Sequence, residues 1–558
     1  MAYYSQAHIC QCLTRLSTLR RNSIVTIAGD RRKTGEHFVE DVLSLARGLL
    51  ELGLRSGDIV AICALNSVCY LEWLLAVAFV GAVVAPLNYR WIFEEAKSAM
   101  LCVRPVMLVT DASCNCWYSE LQSDAIPSLK WHAFLGSFEA SNILTTEMLR
   151  KNGIRTLPLN YSWAPEGAVV ICFTSGTTGR PKGVVISHSA LIVQSLAKAA
   201  IVGYCENDVY LHTTPLCHIG GLSSAMAMLM VGACHVLIPK FEATLAVESI
   251  EQHRVTSLIT VPAILGDLIS IARAKETSKG SQTVEKILNG GGSLSVWLIK
   301  DTRKLFPRAK LLSAYGMTES CSSLTFITLN DPTIETPSQL LQTSSKIKSA
   351  SGNQPQGVCV GKPAPHVELK VCIDGSSQIG RILTRGPHVM LRYWDQNPLK
   401  APNHINEVWL DTGDIGYIDN SCNLWLIGRT NNRIKSGGEN VHPEEVESIL
   451  LQHPGVVAVI VLGIPDARLT EMVVACVKIK EGWQWSENNC EDPAENELLL
   501  CSEILRKYCR EKNLSGFKVP KRFVLWRKPF PLTTTGKIRR DQIRREVMSI
   551  LRFLPCSL

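Results

Sequence analysis

The chain has 558 residues, 46% hydrophobic and 19% charged, which supplies a large core and about three to four domains' worth of sequence. Its net charge of +8, from 58 basic and 50 acidic residues, is a mild bias that suits anionic small molecules, with no Lys/Arg block dense enough for nucleic acid. Its 20 cysteines include no CxxC pair, the nearest couples being Cys10/Cys12 and Cys114/Cys116, which excludes a disulfide framework and a zinc site and leaves small buried thiols in a reducing compartment.

No secretory signal peptide opens the sequence. Arg15, Arg20 and Arg21 precede the first acidic residue, Asp30, as in a transit peptide, but the region is read here as the first helix of the fold. The apolar runs "DIVAICAL" (58–65), "PVMLVTD" (105–111), "AVVICFT" (168–174), "CHVLIPK" (234–240) and "SLITVPA" (257–263) alternate with helical patterns. Continuous apolar strands between helices predict sheets covered on both faces, the α/β class. "LLAVAFVGAVVA" (74–85) is too short for a membrane span, and "IGGLSSAMAMLMVGACHVLI" (219–238) is broken by Gly, Ser and His235. Each is predicted to be a buried helix running into a strand, so no membrane span is expected. Polar stretches at about 274–284, 330–357 and 481–497 read as surface insertions. Near "GRTNNRIKSGGEN" (428–440) the text turns polar between a strand, "NLWLIG", and a helix, "PEEVESILLQ". A domain boundary is placed there: a large N-terminal domain over 1–428, a hinge over 429–433 and a small mobile α+β domain over 434–558. The last part carries apolar strands at 456–464 and 472–480, a basic helix at 502–512 and a basic tail.

The stretch "TSGTTGRPKG" (174–183) is unusual: a hydroxyl- and glycine-rich loop directly after a buried strand. Such a loop wraps backbone N–H groups around phosphate oxygens, with hydroxyls and a lysine as further donors. It lacks the G-x4-G-K-[ST] spacing of a P-loop, because Pro181 precedes Lys182, and no G-x-G-x-x-G follows a strand. In order behind it come "NGGGSLS" (289–295), "SAYGMTES" (313–320), "LDTGD" (410–414), "GR" (428–429) and "TTTGKIRR" (533–540). Taken singly, Tyr315 reads as a core residue, Asp414 as a turn cap and Lys537 as solvated. The ordered set resembles the adenylate-forming family of acyl-CoA synthetases, luciferases and peptide-synthetase adenylation domains, and the likeness spans nearly the whole chain.

That resemblance implies ATP, Mg²⁺ and coenzyme A as partners of a carboxylic acid. It implies that Thr174, Ser175, Gly176, Thr177, Thr178, Gly179 and Lys182 cradle phosphates. Gly290, Gly291 and Gly292 would admit adenine and the acyl group, and Tyr315 would stack on adenine. Thr318 and Glu319 would serve the α-phosphate and, with Thr178, the metal. Asp414 would accept from the ribose hydroxyls, a role for two acceptor oxygens, and Arg429 would add a cation. Lys537 would bridge the acid and the α-phosphate. His218, Gly291 and Gly316 would line the acid pocket, and Gly437 and Gly438 the CoA channel. At the hinge the family's usual Asp or Lys is replaced by Asn432.

Three longer stretches, "EWLLAVAFVGAVVAPLNYRW", "LHTTPLCHIGGLSSAMAMLMVGACHVL" and "SGGENVHPEEVE", are similar to plant ligases that join 2-succinylbenzoate, an aromatic dicarboxylic acid, to CoA in phylloquinone synthesis. Gly220, Gly221, Ser223 and Ser224 fit a short, partly polar pocket. Ligation of cinnamate-type or medium-chain acids is the nearest alternative; a non-catalytic nucleotide-binding scaffold belongs to another class. The terminal "CSL" resembles the S-K-L peroxisomal address at the third position and in its small first residue, with Ser in place of Lys between them, and peroxisomal placement is expected, with the chloroplast as a second compartment.

Overall fold

The structure, a computed structural model, describes residues 7–552 apart from 92, 118–120, 122–124, 137–143, 153–159, 175–180, 275–281, 335–356, 374–377, 396–408, 430–433, 437–438, 467–468, 488–497, 513, 515 and 533–537. Among the described residues two large sheets carry the site. The first has 8 strands, and its centre is parallel: Val83–Pro86, Ile59–Cys63, Met107–Thr110 and Trp131–Phe134. Every residue of Ile59–Cys63 is buried, as expected for a strand with helices on both faces. The helix Val68–Phe79 covers it, starting at Ser67, whose hydroxyl accepts from Tyr70 N at 3.1 Å.

The second sheet has 13 strands among the described residues. Its parallel part runs Cys234–Leu237, Val209–His212, Ser257–Thr260, Lys286–Asn289 and Lys310–Met317. From Lys310 onward the chain turns antiparallel: Ser322–Asn330 folds back on Lys310–Met317, and the strands between Val358 and Arg429, apart from Arg392–Tyr393, extend the sheet. The alternating β/α pattern does not predict this meander, because its strands are shorter on apolar residues and half exposed, such as Glu368–Ile373. The two suspected membrane stretches are a helix and a strand each, Val68–Phe79 with Val83–Pro86 and Ile219–Val231 with Cys234–Leu237. No helix of the described residues is long and apolar enough to cross a membrane. The arginine-rich start forms the helix Gln11–Thr18.

Sheet membership changes after Arg429. Leu424–Arg429 belongs to the second sheet, whereas Ile434–Ser436 and Glu439–Val441 pair with each other beside Thr470–Ile479 in a third sheet. The glycine-rich stretch read as a polar loop therefore contains two short strands. The basic tail contains the helix Arg540–Arg552. Arg540 docks it, donating to both carboxylate oxygens of Glu447 at 2.6 and 2.8 Å and to the Val461 carbonyl at 2.9 Å. A charge pattern hides that helix in the sequence, since its contact is made by an ion pair as well as by Ile543 and Val547, both buried. The three polar insertions lie largely outside the described residues.

Glu72 is the one charged residue of the helix Val68–Phe79 and is 1% exposed. Its two oxygens take Lys33 and Arg150, and both cations also lie within ion-pair reach of Asp41. Removing the buried carboxylate leaves two cations facing each other without it. Glu72→Ala is therefore expected to lower unfolding free energy by about 3 kcal/mol, and Glu72→Gln by less, measured by urea unfolding. A loss under about 1 kcal/mol in both variants would mean that Asp41 alone neutralises the pair.

Candidate active site

The strand Ala168–Thr174 and the strand Lys182–Ser187 pair antiparallel, with Thr174 opposite Lys182. Thr174 and Lys182, the paired strand ends that flank the hydroxyl-rich stretch, thus stand side by side near one edge of the first sheet. Ser175, Gly176, Thr177, Thr178 and Gly179 lie outside the described residues. The short strand Arg392–Tyr393 continues this edge, with Tyr393 opposite Val184.

The second sheet supplies the other wall. Between Lys310–Met317 and Ser322–Asn330 sits a single 3₁₀ turn, Thr318–Ser320, closed by Cys321 N donating to the Thr318 carbonyl at 2.9 Å. Gly316 faces the return strand so closely that a Cβ there would stand 1.6 Å from the Ser322 carbonyl oxygen. Only glycine permits that register. Glu319, in the turn, is 8% exposed, and the Tyr393 phenol donates to its Oε1 at 2.9 Å. Burial first, and Glu319 second, push the Tyr393 phenol well above the usual range, so it stays a donor. Lys182 Nζ lies 5.5 Å from the centre of the Tyr393 ring, a cation–π distance. Lys182, Tyr393 and Glu319 thereby form a line from the hydroxyl loop to the turn. The sequence reading missed Tyr393, which sits in no glycine-rich motif.

Tyr315 and Asp414 also meet: the Tyr315 phenol donates to Asp414 Oδ2 at 2.6 Å. Asp414 is 4% exposed, its N–H bonded to Thr412 Oγ1 at 3.1 Å, and it stands opposite Arg429 in the strand pair Leu410–Ile418 and Leu424–Arg429. The Arg429 side chain lies outside the described residues. The run Gly290–Gly292 follows Lys286–Asn289, with Gly291 in the left-handed region at φ 71°. A Cβ at Gly290 would meet nothing within 4 Å, so the space in front of it is open. Asn289 fixes the run from beneath, donating to the Gly292 carbonyl at 2.7 Å and to Ser313 Oγ at 3.1 Å.

His218 is half-buried and begins the helix Ile219–Val231, its carbonyl accepting from Leu222 N at 2.9 Å. The preceding loop is clamped by buried Asn66, which donates to the Thr214 carbonyl at 3.1 Å and accepts from Leu216 N at 2.8 Å. Asn66, like Asn289, carries no motif and went unnoticed in the sequence. Lys537, Asn432, Gly437 and Gly438 lie outside the described residues.

The donor set suits a hard cation held by substrate. Among the described residues no group of three or more His, Cys, Asp or Glu side chains gathers, so no all-protein cage exists there. A single anchored carboxylate, Glu319, fits Mg²⁺, which takes one or two carboxylates and completes its shell with phosphates and water.

Comparison with known proteins agrees. The sequence matches the AMP-binding enzyme family over residues 16–394 and the AMP-binding enzyme C-terminal domain over 445–537. It is 57% identical to the chloroplastic/peroxisomal 2-succinylbenzoate–CoA ligase of Arabidopsis thaliana, covering 100% of both chains. The o-succinylbenzoate CoA synthetase of Bacillus subtilis in complex with the acyl-adenylate intermediate is 25% identical, with 96% of this chain and 97% of that chain covered and a TM-score of 0.73. The same enzyme with ATP and magnesium ion aligns over 96% and 99%, also at 25% identity, with a TM-score of 0.74. A family match over well more than half of the residues and a relative matched end to end leave one conclusion: this chain belongs to the AMP-binding enzymes.

Proposed function

We propose that the protein ligates 2-succinylbenzoate to CoA at the expense of ATP, by way of an acyl adenylate, in phylloquinone synthesis. The observation that carries this reading is the end-to-end 57% identity to the Arabidopsis ligase. The same relative supports placement in peroxisomes and chloroplasts.

The chemistry assigns the residues. A carboxylate oxygen attacks the α-phosphorus of ATP, the bond to diphosphate breaks, and a mixed anhydride forms. The CoA sulfur then attacks the acyl carbon, its proton passes to solvent, and AMP leaves. The barrier lies in bringing two anions together and aligning them. Lys182 and Thr174, with Ser175, Gly176, Thr177, Thr178 and Gly179, hold the β- and γ-phosphates. Tyr315 and Asp414, joined by their hydrogen bond, take adenine and ribose, with Arg429 beside the ribose. Thr318 serves the α-phosphate. Magnesium, when bound, neutralises phosphate charge; Glu319 and Thr178 are the residues that would hold it. Gly290, Gly291 and Gly292 leave room for adenine and the acyl group, and His218, Gly291 and Gly316 line the acid pocket. Lys537 bridges the acid and the α-phosphate in the first step. In the second, residues 434–558 turn about 429–433, Asn432 included, and Gly437 and Gly438 line the path of the thiol.

Purified protein with ATP, Mg²⁺ and CoA should form AMP and acyl-CoA from 2-succinylbenzoate with a higher kcat/KM than from 4-coumarate, benzoate or octanoate. A clear preference for another acid would keep the ligase mechanism and overturn the substrate. Tyr393→Phe removes a hydrogen bond to a charged group, about 1.5–3 kcal/mol. It should lower the adenylation rate about tenfold or more while the ATP-free melting temperature falls by only about 2–4 °C; an unchanged rate would mean that Glu319 needs no anchor. Lys537→Ala should abolish pyrophosphate release yet spare thioester formation from supplied acyl adenylate, and equal loss of both half-reactions would contradict the two-state scheme.

A further inference from the structure

One fully buried cation takes no part in the chemistry above. Lys198 ends the helix His188–Lys198 and is 0% exposed. Its ammonium donates to Ser223 Oγ at 2.6 Å, Ser224 Oγ at 3.1 Å and Ser322 Oγ at 3.1 Å. Three N–H donors thus meet three neutral hydroxyls, and among the described residues no carboxylate bears on its charge. Burial pulls its pKa down to about 7, as expected for a charge stripped of water without a counter-ion. Such a group destabilises the fold, and an apolar side chain of similar volume usually serves stability better.

Its position suggests what it is kept for. Ser223 and Ser224 lie in the first turns of the helix Ile219–Val231, which begins at His218. Ser322 stands opposite Met317 across the hairpin, next to the Gly316–Ser323 pair. Gln194, one turn before Lys198, donates to the carbonyls of Ser320 at 3.0 Å and Ser323 at 2.6 Å. The ammonium is therefore clamped between the helix that His218 begins and the strand Ser322–Asn330, which returns beside Gly316. Ser223 and Ser224 are fully buried, whereas Ser322 is only half-buried. The backbone is strained here: Cys321 at φ 52° and Ser322 at φ 107° are consecutive non-glycine residues in the left-handed region. Strain of this kind gathers at binding sites.

We propose that Lys198, acting with Ser322, forms a subsite that selects acids carrying a second carboxylate. This rests on the aromatic dicarboxylate reading given above. The Ser223 hydroxyl is committed to the Ile219 carbonyl at 2.6 Å, and fully buried Ser224 lies against the Tyr210 phenol. That leaves half-buried Ser322, whose Oγ is 3.4 Å from the Ser323 hydroxyl, to turn its proton toward the substrate. Its oxygen accepts from the ammonium while its O–H donates to the distal carboxylate. Lys198 acts through it and is a positioning residue. The incoming carboxylate supplies the counter-charge that the protein withholds, so an acid lacking it leaves the cation uncompensated.

The test compares 2-succinylbenzoate with two analogues that each lack one carboxylate, 4-oxo-4-phenylbutanoate and 2-butanoylbenzoate, on the full-length enzyme. AMP formation gives kcat and KM for the wild type, Lys198→Met, Lys198→Arg and Ser322→Ala. Lys198→Met should raise KM for 2-succinylbenzoate about tenfold or more with a much smaller change in kcat. Its preference for the dicarboxylate over the better mono-acid should collapse toward one, while its melting temperature rises. Lys198→Arg should restore part of the preference, and Ser322→Ala should erode it in the same direction. A Lys198→Met variant that loses kcat/KM equally on both kinds of acid, or melts lower with its preference intact, overturns the subsite. If Lys198→Met does not fold, an unchanged preference in Ser322→Ala overturns it instead. A wild type that favours a different acid altogether sinks the substrate reading as well, whereas a preference that survives Lys198→Met sinks the subsite alone.

Discussion

The phenol of Tyr393 ties together two sheets that also share one apolar core, which holds Val60, Ile62 and Val84 of the first sheet and Val25 and Leu237 of the second. Its strand is hydrogen-bonded to Lys182–Ser187 of the first sheet, and its O–H reaches Glu319 in the hairpin turn of the second. The backbone repeats the link, since Met390 N donates to the Glu319 carbonyl and Trp394 N to the Gly183 carbonyl, at 2.9 and 2.8 Å. Lys182, which flanks the loop proposed to hold phosphate, and Glu319, the carboxylate proposed to hold the metal, come from chain segments more than a hundred residues apart. An in-line transfer tolerates little error in their spacing. This short crossing fixes the spacing, and the remaining site geometry is built outward from it.

Buried polar side chains hold the other parts of the cleft. Asn66 clamps the loop before His218, and Asn289 pins the glycine run. Each spends its amide on backbone groups of a segment that has no regular secondary structure to satisfy it. The glycines supply room and the asparagines supply rigidity.

The parallel half of the fold is legible in the sequence because its strands are buried on both faces and read as unbroken apolar runs. Ile59–Cys63 and Ala168–Thr174 are found within a residue or two of their expected places. The antiparallel meander from Lys310 to Arg429 is not, because half-exposed strands alternate weakly. The helix Arg540–Arg552 is hidden by its charge. At the site, glycine, lysine and carboxylate motifs announce themselves by spacing. Tyr393, Asn66, Asn289 and Lys198 do not: an isolated Tyr, Asn or Lys has the same signature in a loop, a core or a site. Their meaning comes from partners distant in sequence, such as Lys198 with Ser322, 124 positions away.

Both acidic residues of the site are held by tyrosine, Asp414 by Tyr315 and Glu319 by Tyr393. Arginine or lysine would orient a carboxylate as well, but would also cancel its charge. A phenol is a neutral donor that stiffens the carboxylate without bringing a charge of its own. The contrast with Glu72 is instructive, for there two cations close on one carboxylate and the result is an internal brace. Lys198 shows the same logic with the sign reversed: three neutral hydroxyls orient a cation without quenching it. In this protein, groups that serve the fold are paired with opposite charge. The two carboxylates proposed to meet ligand each accept from a neutral phenol, and Lys198 donates to neutral hydroxyls.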